Sequence, residues 1–155
     1  MSKTKKLPTR KQVRKQDTWD LATLYENNEA WDAEFRKWEK RISKFEKFRG
    51  TLGHSAKQLA ECLKFDTEFD RVADRLGTYA FLRTAEDTSD SDAQSMLARY
   101  SNAGSRAQQA ASFIQPEIMA IADSKMKRFL KDKALADYHL LLERWLRYQP
   151  HTLSD

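Results

Sequence analysis

The sequence has few of the residues that interrupt helices. Its 155 residues include only four glycines and three prolines, and such sparse breaks favour long helices over many short strands. Its single cysteine, Cys62, excludes an internal disulfide and fits a reducing compartment. No apolar run reaches the roughly 18 residues that cross a bilayer, and no secretory signal is visible near the N-terminus. We therefore predict a helical, cytoplasmic protein without membrane contact.

Basic charge is concentrated at the start of the chain. The formal net charge is +5, but residues 1–16 hold seven of the 28 basic side chains and no acid. The rest of the chain is nearly balanced, with 21 basic against 23 acidic residues. We predict a basic, disordered leader over residues 1–16 and a folded region over 17–155. A basic arm can bind nucleic acid, but no aromatic residue interleaves this one, so we predict no such partner.

The spacing of apolar residues predicts an all-α bundle of five to seven helices. A stripe on the first long helix is typical of core packing, and it consists of Trp31, Phe35, Trp38, Ile42, Phe45 and Phe48. Helix starts are indicated at Asn27 or Asn28, at Ser55 with Gln58, and in the polar segment 87–92. Further helices are expected after Pro116 at a first helical position, over 125–130 and over 134–148, with a short turn over 21–25 and a possible weak break at 66–67.

Small residues indicate where helices approach each other. Gly77 lies inside a helical pattern and costs about 1 kcal/mol relative to alanine, which close approach of a neighbouring helix would explain. The predicted third helix has a small inward face, consisting of Ala103, Gly104, Ala107, Ala110 and Ala111. Such a face lets helix axes come near, so we predict a central position for this helix.

No motif in the sequence assembles a catalytic site. His139 and Glu143 share the i, i+4 spacing of a metal pair, but a partly exposed histidine beside a helix carboxylate is the more common arrangement. Residues 87–92 lack the glycine and glutamate of a calcium loop. Residues 50–53 lack the length and the lysine of a phosphate loop, and Cys62 is expected in the core. We predict no catalytic, cofactor-binding or metal-binding residue in this chain.

A group of acids on the predicted second helix also remains without a role. It consists of Glu61, Asp66, Glu68, Asp70 and Asp74. These residues are spread around the helix, so we predict a solvated face rather than a site.

Several segments, in order, resemble one family. They are Trp19-Asp20-Leu21 with Leu24-Tyr25, Trp31 with Phe35, Phe48-Arg49-Gly50-Thr51-Leu52 with Ser55-Ala56, Leu76 with Tyr79-Ala80, Asp87-Thr88 with Asp90 and Gln94, Ser112-Phe113-Ile114 with Pro116-Glu117-Ile118, Leu141 with Glu143-Arg144, and His151-Thr152-Leu153-Ser154. Their order and spacing resemble the N-terminal region of oligoendopeptidase F and its relatives among the thimet-type zinc oligopeptidases.

The resemblance implies a helical N-terminal lobe of a larger cytoplasmic metallopeptidase that cuts short peptides. In that family zinc is held by His-Glu-x-x-His and a further glutamate, and the glutamate within the motif activates the metal-bound water. None of those positions is present here, so zinc is expected in a catalytic domain of the same polypeptide. The resemblance implies that this lobe is inactive alone and walls a substrate channel.

The last residues of the sequence carry the pattern of a helix start. Leu153, Ser154 and Asp155 resemble the start of another helix, which predicts a longer protein.

Three function classes differ in the surface that they predict. A peptidase lobe should expose a large apolar face where the catalytic domain docks. A freestanding helical interaction module should be well covered, and a nucleic-acid-binding bundle should lose affinity with salt and without residues 1–16.

Overall fold

The computed structural model describes residues 10–148, and within this range it contains helices and no strand. The α-helices are α1 (Asn28–Arg41), α2 (Ala56–Glu86), α3 (Ser91–Ala111), α4 (Ile114–Met119), α5 (Asp123–Phe129) and α6 (His139–Tyr148). Short 3-10 helices lie at Arg10–Gln12, Lys15–Asp17, Leu21–Thr23, Ile42–Phe48 and Lys133–Tyr138. The predicted all-α bundle of five to seven helices is confirmed.

The predicted capping residues begin the three long helices. The Asn27 side chain accepts a hydrogen bond from Ala30 N at 2.8 Å, and Ser55 Oγ accepts one from Gln58 N at 3.1 Å. Asp90 accepts from the backbone N–H groups at the start of α3. Each side chain satisfies a donor that the first helical turn leaves free. The Gln58 side chain does not complete the capping box, because it donates to Thr51 Oγ1 at 3.3 Å instead.

Several predicted boundaries differ from the structure. The possible break at 66–67 is absent, since α2 is uninterrupted there. Within the helix, Thr67 Oγ1 donates to the Leu63 carbonyl at 2.8 Å. Pro116 is the third residue of α4 rather than the first, a position where its missing N–H still costs no helical hydrogen bond. The last predicted helix is divided into the 3-10 helix Lys133–Tyr138 and α6.

The core forms around the aromatic stripe of α1 and the 3-10 helix that extends it. The predicted core position of this stripe is confirmed for five of its six residues, which are buried, while Ile42 is partly buried. Trp31 stacks on Phe35 with ring centroids 5.0 Å apart. Trp31 Nε1 also donates to the Leu76 carbonyl at 2.9 Å. Burial of such rings supplies most of the hydrophobic stabilisation of a small helical domain.

The three long helices alternate in direction. Trp31 contacts Leu76 and Trp38 stacks on Phe69, so α1 and α2 run antiparallel. Two ion pairs join α1 to α3, Asp32 with Arg99 and Glu39 with Arg106. Their partners advance together by seven residues on both helices, which means that α1 and α3 run in the same direction. α2 packs against both of them.

At Gly77, α2 comes close to the side chain of Tyr100 on α3. A Cβ atom at Gly77 would lie 2.6 Å from Tyr100 Cζ, so the ring of Tyr100 fits only because the position is glycine. This confirms the predicted close approach at Gly77. On α3 itself, Ala103 and Ala107 are buried as predicted, whereas Gly104 has open space in front of its backbone.

Part of the predicted leader belongs to the fold. Residues 10–16 include a 3-10 turn at Arg10–Gln12, and Arg10 forms an ion pair with Glu86 at the end of α2. The disordered leader over 1–16 stays a prediction, and residues 10–16 carry the turn and the ion pair just described. Residues 1–9 lie outside the described range. So does the predicted helix start at Leu153, Ser154 and Asp155.

Candidate functional site

A groove with a volume of about 780 Å³ lies between the long helices and α4. α1 and its 3-10 extension form its floor, α2 and α3 form its two walls, and α4 and α6 close one end. Its lining residues of mixed character are Trp38, Phe45, Asp66, Phe69, Asp70, Ala73, Asp74, Tyr100, Gly104, Ala107, Gln108, Ala111, Ser112, Ile114, Gln115, Pro116, Met119 and Trp145. We call it the acidic groove, because all of its charged side chains are carboxylates.

The carboxylates of the acidic groove come from one face of α2. Asp66, Asp70 and Asp74 are four residues apart, and this spacing places side chains in a row along a helix. The prediction of a solvated face is confirmed for Asp70 and Asp74, which are exposed, whereas Asp66 is partly buried. The prediction also holds for Glu61 and Glu68, which lie on another side of α2 beside Lys57, Lys64 and Arg71.

The acidic groove is distinguished by charges without counter-ions. Within residues 10–148, none of the three aspartates of the groove forms an ion pair. Burial, with a further contribution from Asp70, raises the pKa of Asp66 to about 6. Partial burial and the neighbouring Asp74 also raise the pKa of Asp70. Desolvation thus acts most on Asp66, which is partly buried, while the side chains of Asp70 and Asp74 are exposed to solvent.

A second groove is lined by both acidic and basic side chains. It has a volume of about 640 Å³ and lies between α1 and α3, lined by residues that include Asp32, Arg36 and Arg99. Asp32 pairs with both arginines, at 2.7 Å and 2.6 Å. The hydrogen bond from Arg99 is the main cause that lowers the pKa of Asp32. Asp32 of this second groove is thus neutralised by two arginines, whereas none of the three aspartates of the acidic groove has such a partner among the described residues.

Aromatic rings form the floor of the acidic groove. Trp38 stacks on Phe69 with centroids 4.9 Å apart and on Tyr100 with centroids 5.8 Å apart. Trp38 is only 1% exposed, yet its Nε1 has no hydrogen-bond partner among the described residues. A buried indole N–H normally finds an acceptor, as that of Trp31 does. The groove therefore combines carboxylates that have no ion-pair partner among the described residues with a floor of rings packed against one another.

The other candidates from the sequence serve the fold. His139 Nδ1 lies 3.5 Å from Glu143 Oε1, and both side chains are about half exposed. Asp87 and Asp90 cap backbone N–H groups, and Gly50 turns the chain with φ +75°. Cys62 is buried as predicted, and this burial raises the pKa of its thiol to about 12. A thiol with that pKa is a poor nucleophile.

The described residues do not fit a zinc ion. Within residues 10–148, no group of three or more histidine, cysteine, aspartate or glutamate side chains could hold a metal ion. The three carboxylates of the acidic groove are separated along α2 rather than gathered around one point. His139 and Glu143 form only a pair. We therefore derive no chemistry of this chain from a bound metal.

The outer surface of the described range carries few exposed large hydrophobic side chains. The exposed large hydrophobic side chains of the described range are Trp19 (54%), Phe81 (59%) and Leu140 (68%). Trp19 lies between two 3-10 helices, Phe81 on α2 and Leu140 on α6, so no described helix presents the row of exposed apolar residues that a large docking face would require. Among the described residues, no helix is both long and apolar enough to cross a membrane.

Comparison with known sequences places the similarity in one group of peptidases. A family model described as Oligopeptidase F matches residues 117–155. Oligopeptidase PepF of Bacillus subtilis is 34% identical over 157 residues, which cover 99% of this chain and 23% of the relative. Group B oligopeptidase PepB of Streptococcus agalactiae is 25% identical, with 94% of this chain and 24% of the relative covered. The chain thus spans about a quarter of the length of these relatives.

Comparison with solved structures gives the same result. Oligoendopeptidase-F from Enterococcus faecium matches with a TM-score of 0.74 and 26% identity, over 83% of this chain and 26% of that chain. A crystal structure from Chlamydophila abortus has a TM-score of 0.87 at 22% identity, over 96% of this chain and 25% of that chain, and supports the fold alone. The predicted resemblance to the N-terminal region of oligoendopeptidase F is confirmed.

Proposed function

We propose that this chain is the non-catalytic N-terminal lobe of a cytoplasmic peptidase that hydrolyses short peptides. The observation that carries the proposal is the similarity of nearly the whole chain to the N-terminal part of oligopeptidase PepF. The zinc ion and the residues that activate water would belong to a catalytic domain of the same polypeptide. The lobe would wall the substrate channel.

We further propose that the acidic groove is the part of this lobe that faces a bound peptide. Its volume of about 780 Å³ falls within the range of small-ligand sites and suits a few residues of an extended peptide. The partly exposed Tyr100 ring offers apolar contact, and the exposed carboxylates of Asp70 and Asp74 offer acceptors to the N–H groups of a peptide. Such contacts bind and orient a substrate without supplying the chemistry of hydrolysis.

A chimera tests the role as a peptidase lobe. In it, residues 1–155 replace the matching segment of the Bacillus subtilis relative, and cleavage of a quenched fluorescent peptide is measured. We expect chelator-sensitive cleavage within about tenfold of the parent, because the lobe supplies walls rather than reacting groups. The control carries an unrelated helical bundle at the same place and should be inactive. A folded, metal-loaded chimera without cleavage would contradict the proposal.

The isolated chain tests the absence of catalysis. Purified residues 1–155 should not cleave the same peptide, with or without added zinc, because the described residues contain no group of metal ligands. Chelator-sensitive turnover by the isolated chain would show that the chemistry lies here after all.

The alternative is a freestanding helical interaction module. The observation that favours it is the scatter of the exposed hydrophobic residues, since Phe81 and Leu140 lie on different helices and no large docking face is seen. An inactive chimera together with a well-folded isolated chain that binds no peptide would favour this alternative.

A further inference from the structure

α4 is a short helix at the end of the acidic groove. It consists of the six residues Ile114–Met119 and begins without a side-chain cap. An isolated helix of this length is not stable in water, so its position depends on contacts with the rest of the chain. Gln115, Pro116 and Met119 line the groove, whereas Ile118 is fully buried. A movement of α4 therefore changes the shape of this end of the groove.

A carboxylate of α4 binds the turn that connects the 3-10 helix Ile42–Phe48 to α2. Glu117 Oε2 accepts a hydrogen bond from Gly50 N at 2.8 Å, and Glu117 Oε1 accepts one from Leu52 N at 2.7 Å. Gly50 has a φ of +75°, and such turns can direct neighbouring N–H groups at one anion. Hydrogen bonds to a charged acceptor are among the stronger ones in proteins. We call these two hydrogen bonds the Glu117 clamp.

The same turn contacts the residues on both sides of α4. Arg49 lies over the ring of Phe113, just before α4, at 4.5 Å from the ring centroid. A Cβ atom at Gly53 would lie 3.8 Å from Cγ1 of Ile121, just after α4. The clamp itself joins residues at least 65 positions apart in the sequence. The turn thus follows α4 along its length, with the Glu117 clamp in the middle of the contact.

We propose that the Glu117 clamp is a conformational device that makes the turn at residues 49–53 and α4 open and close as one unit at the end of the acidic groove. The inference concerns the movement of α4 and goes beyond the proposed function, since it does not depend on what the groove binds. The device requires an ionised carboxylate, because each of its two oxygens accepts from one N–H group. A glutamine offers one acceptor oxygen, and its NH₂ group would face the second N–H donor.

Amide hydrogen exchange of the 155-residue chain tests the clamp. Glu117→Gln keeps the shape of the side chain and removes one of its two acceptors. We expect the amides of Gly50 and Leu52, and those of residues 117–121, to exchange about tenfold faster or more, because a hydrogen bond to a charged group is lost. Exchange in α1 and α3 should stay unchanged, since the buried Ile118 keeps α4 attached to the core.

Glu46→Gln is the matched control. It removes the same charge beside the same turn, but the Glu46 side chain pairs with Arg49 at 3.0 Å rather than with the backbone of the turn. Exchange of the clamped amides should stay within about twofold of wild type, because this pair is exposed. Thermal unfolding verifies that both variants are folded.

The wild-type chain provides a second measurement that needs no variant. At low urea concentrations, the amides of Gly50, Leu52 and residues 117–121 should exchange through one shared opening. These amides should have the same dependence on urea, and they should exchange faster than those of α1.

The pattern of exchange decides the outcome. Faster exchange in the turn without a change in α4 would mean that the Glu117 clamp holds the turn alone, which overturns the joint opening. An equal acceleration of all slow amides in Glu117→Gln would mean that the residue stabilises the whole fold. Different urea dependences for the turn and α4 in the wild-type chain would also overturn the proposal.

Discussion

Trp31 and Trp38 lie on the same face of α1, two turns apart, and yet they play different parts. Trp31 donates to the Leu76 carbonyl at 2.9 Å, so its polar atom is satisfied inside the core. Trp38 is equally buried and has no acceptor. The sequence predicts that both rings are buried, because both belong to the same apolar stripe. It cannot predict which N–H is paired, because the acceptor comes from a distant helix.

Asp66 should destabilise the folded protein near neutral pH. Burial raises the pKa of Asp66 to about 6, well above the ordinary value of an aspartate, so the folded state binds a proton more readily than the unfolded state. The free energy of unfolding then falls as pH rises from about 4 to about 7. We expect Asp66→Asn to gain on the order of 1 kcal/mol at about pH 7.5, after allowance for partial solvent exposure.

Urea denaturation at about pH 4 and about pH 7.5 measures this effect. The variant and the wild-type chain should differ little at the lower pH, because Asp66 is then mostly protonated in the folded state. Glu68→Gln, on the exposed side of α2, should stay within about 0.5 kcal/mol of wild type at both pH values. A stability difference that does not change with pH would contradict the role of Asp66.

At the scale of the helices, local chemistry was sufficient to predict most starts and some ends. The caps Asn27, Ser55 and Asp90 act within three residues of themselves, so their pattern can be seen in the sequence. The continuity of α2 through Thr67 and the division of the last predicted helix were not predicted. Both features depend on tertiary packing. Other helices pack along the length of α2, and these contacts outweigh a weak local preference for a break.

Gly77 and Gly104 give a matched test of helix packing. Both are glycines within long helices, but Gly77 meets the Tyr100 ring at 2.6 Å whereas Gly104 has nothing within 4 Å of the position of an added Cβ. Gly77→Ala must move Tyr100, and overpacking of this kind costs about 1–3 kcal/mol, partly offset by about 1 kcal/mol of helix propensity. We expect a net loss of about 1 kcal/mol in the free energy of unfolding.

Gly104→Ala should have the opposite sign. It gains helix propensity without a clash, so we expect unchanged or higher stability, by up to about 1 kcal/mol. Denaturant unfolding of both variants, with tryptophan fluorescence to follow the stacking of Tyr100 on Trp38, measures the difference. Equal effects of the two substitutions would mean that the contact with Tyr100 does not constrain the helices.

At the scale of the whole molecule, the acidic groove exists only because three helices meet. Asp66, Asp70 and Asp74 share one face of α2 because they are spaced i, i+4, i+8, although the five acids taken together predict only a solvated helix. Their spacing could not predict that this face borders a groove, because the groove also requires the parallel arrangement of α1 and α3. Residue spacing thus identifies a row of charged side chains, whereas the tertiary structure determines whether these side chains form ion pairs.

The N-terminal segment is joined to the rest of the molecule through one charged cluster. Arg10 pairs with Glu86, whose side chain is only 7% exposed, and Glu86 also pairs with Arg83 at 3.2 Å. Arg83 in turn reaches Asp90 at the start of α3, at 3.2 Å. The cluster thus connects residues 10–17 to the corner between α2 and α3, so that loss of one member should loosen a segment rather than unfold the core.

Arg10→Ala should therefore act locally. We expect faster amide hydrogen exchange over residues 10–24 and in the last turn of α2, because Glu86 loses a partner and the segment loses its link to α2. The global free energy of unfolding should fall by no more than about 1 kcal/mol, because Arg83 still neutralises Glu86. Arg14→Ala is the matched control, since Arg14 pairs only within its own segment, with Asp17 at 2.8 Å. Unchanged exchange at the end of α2 in Arg10→Ala, or an equal change in Arg14→Ala, would mean that the segment is held by its apolar contacts and not by the charged cluster.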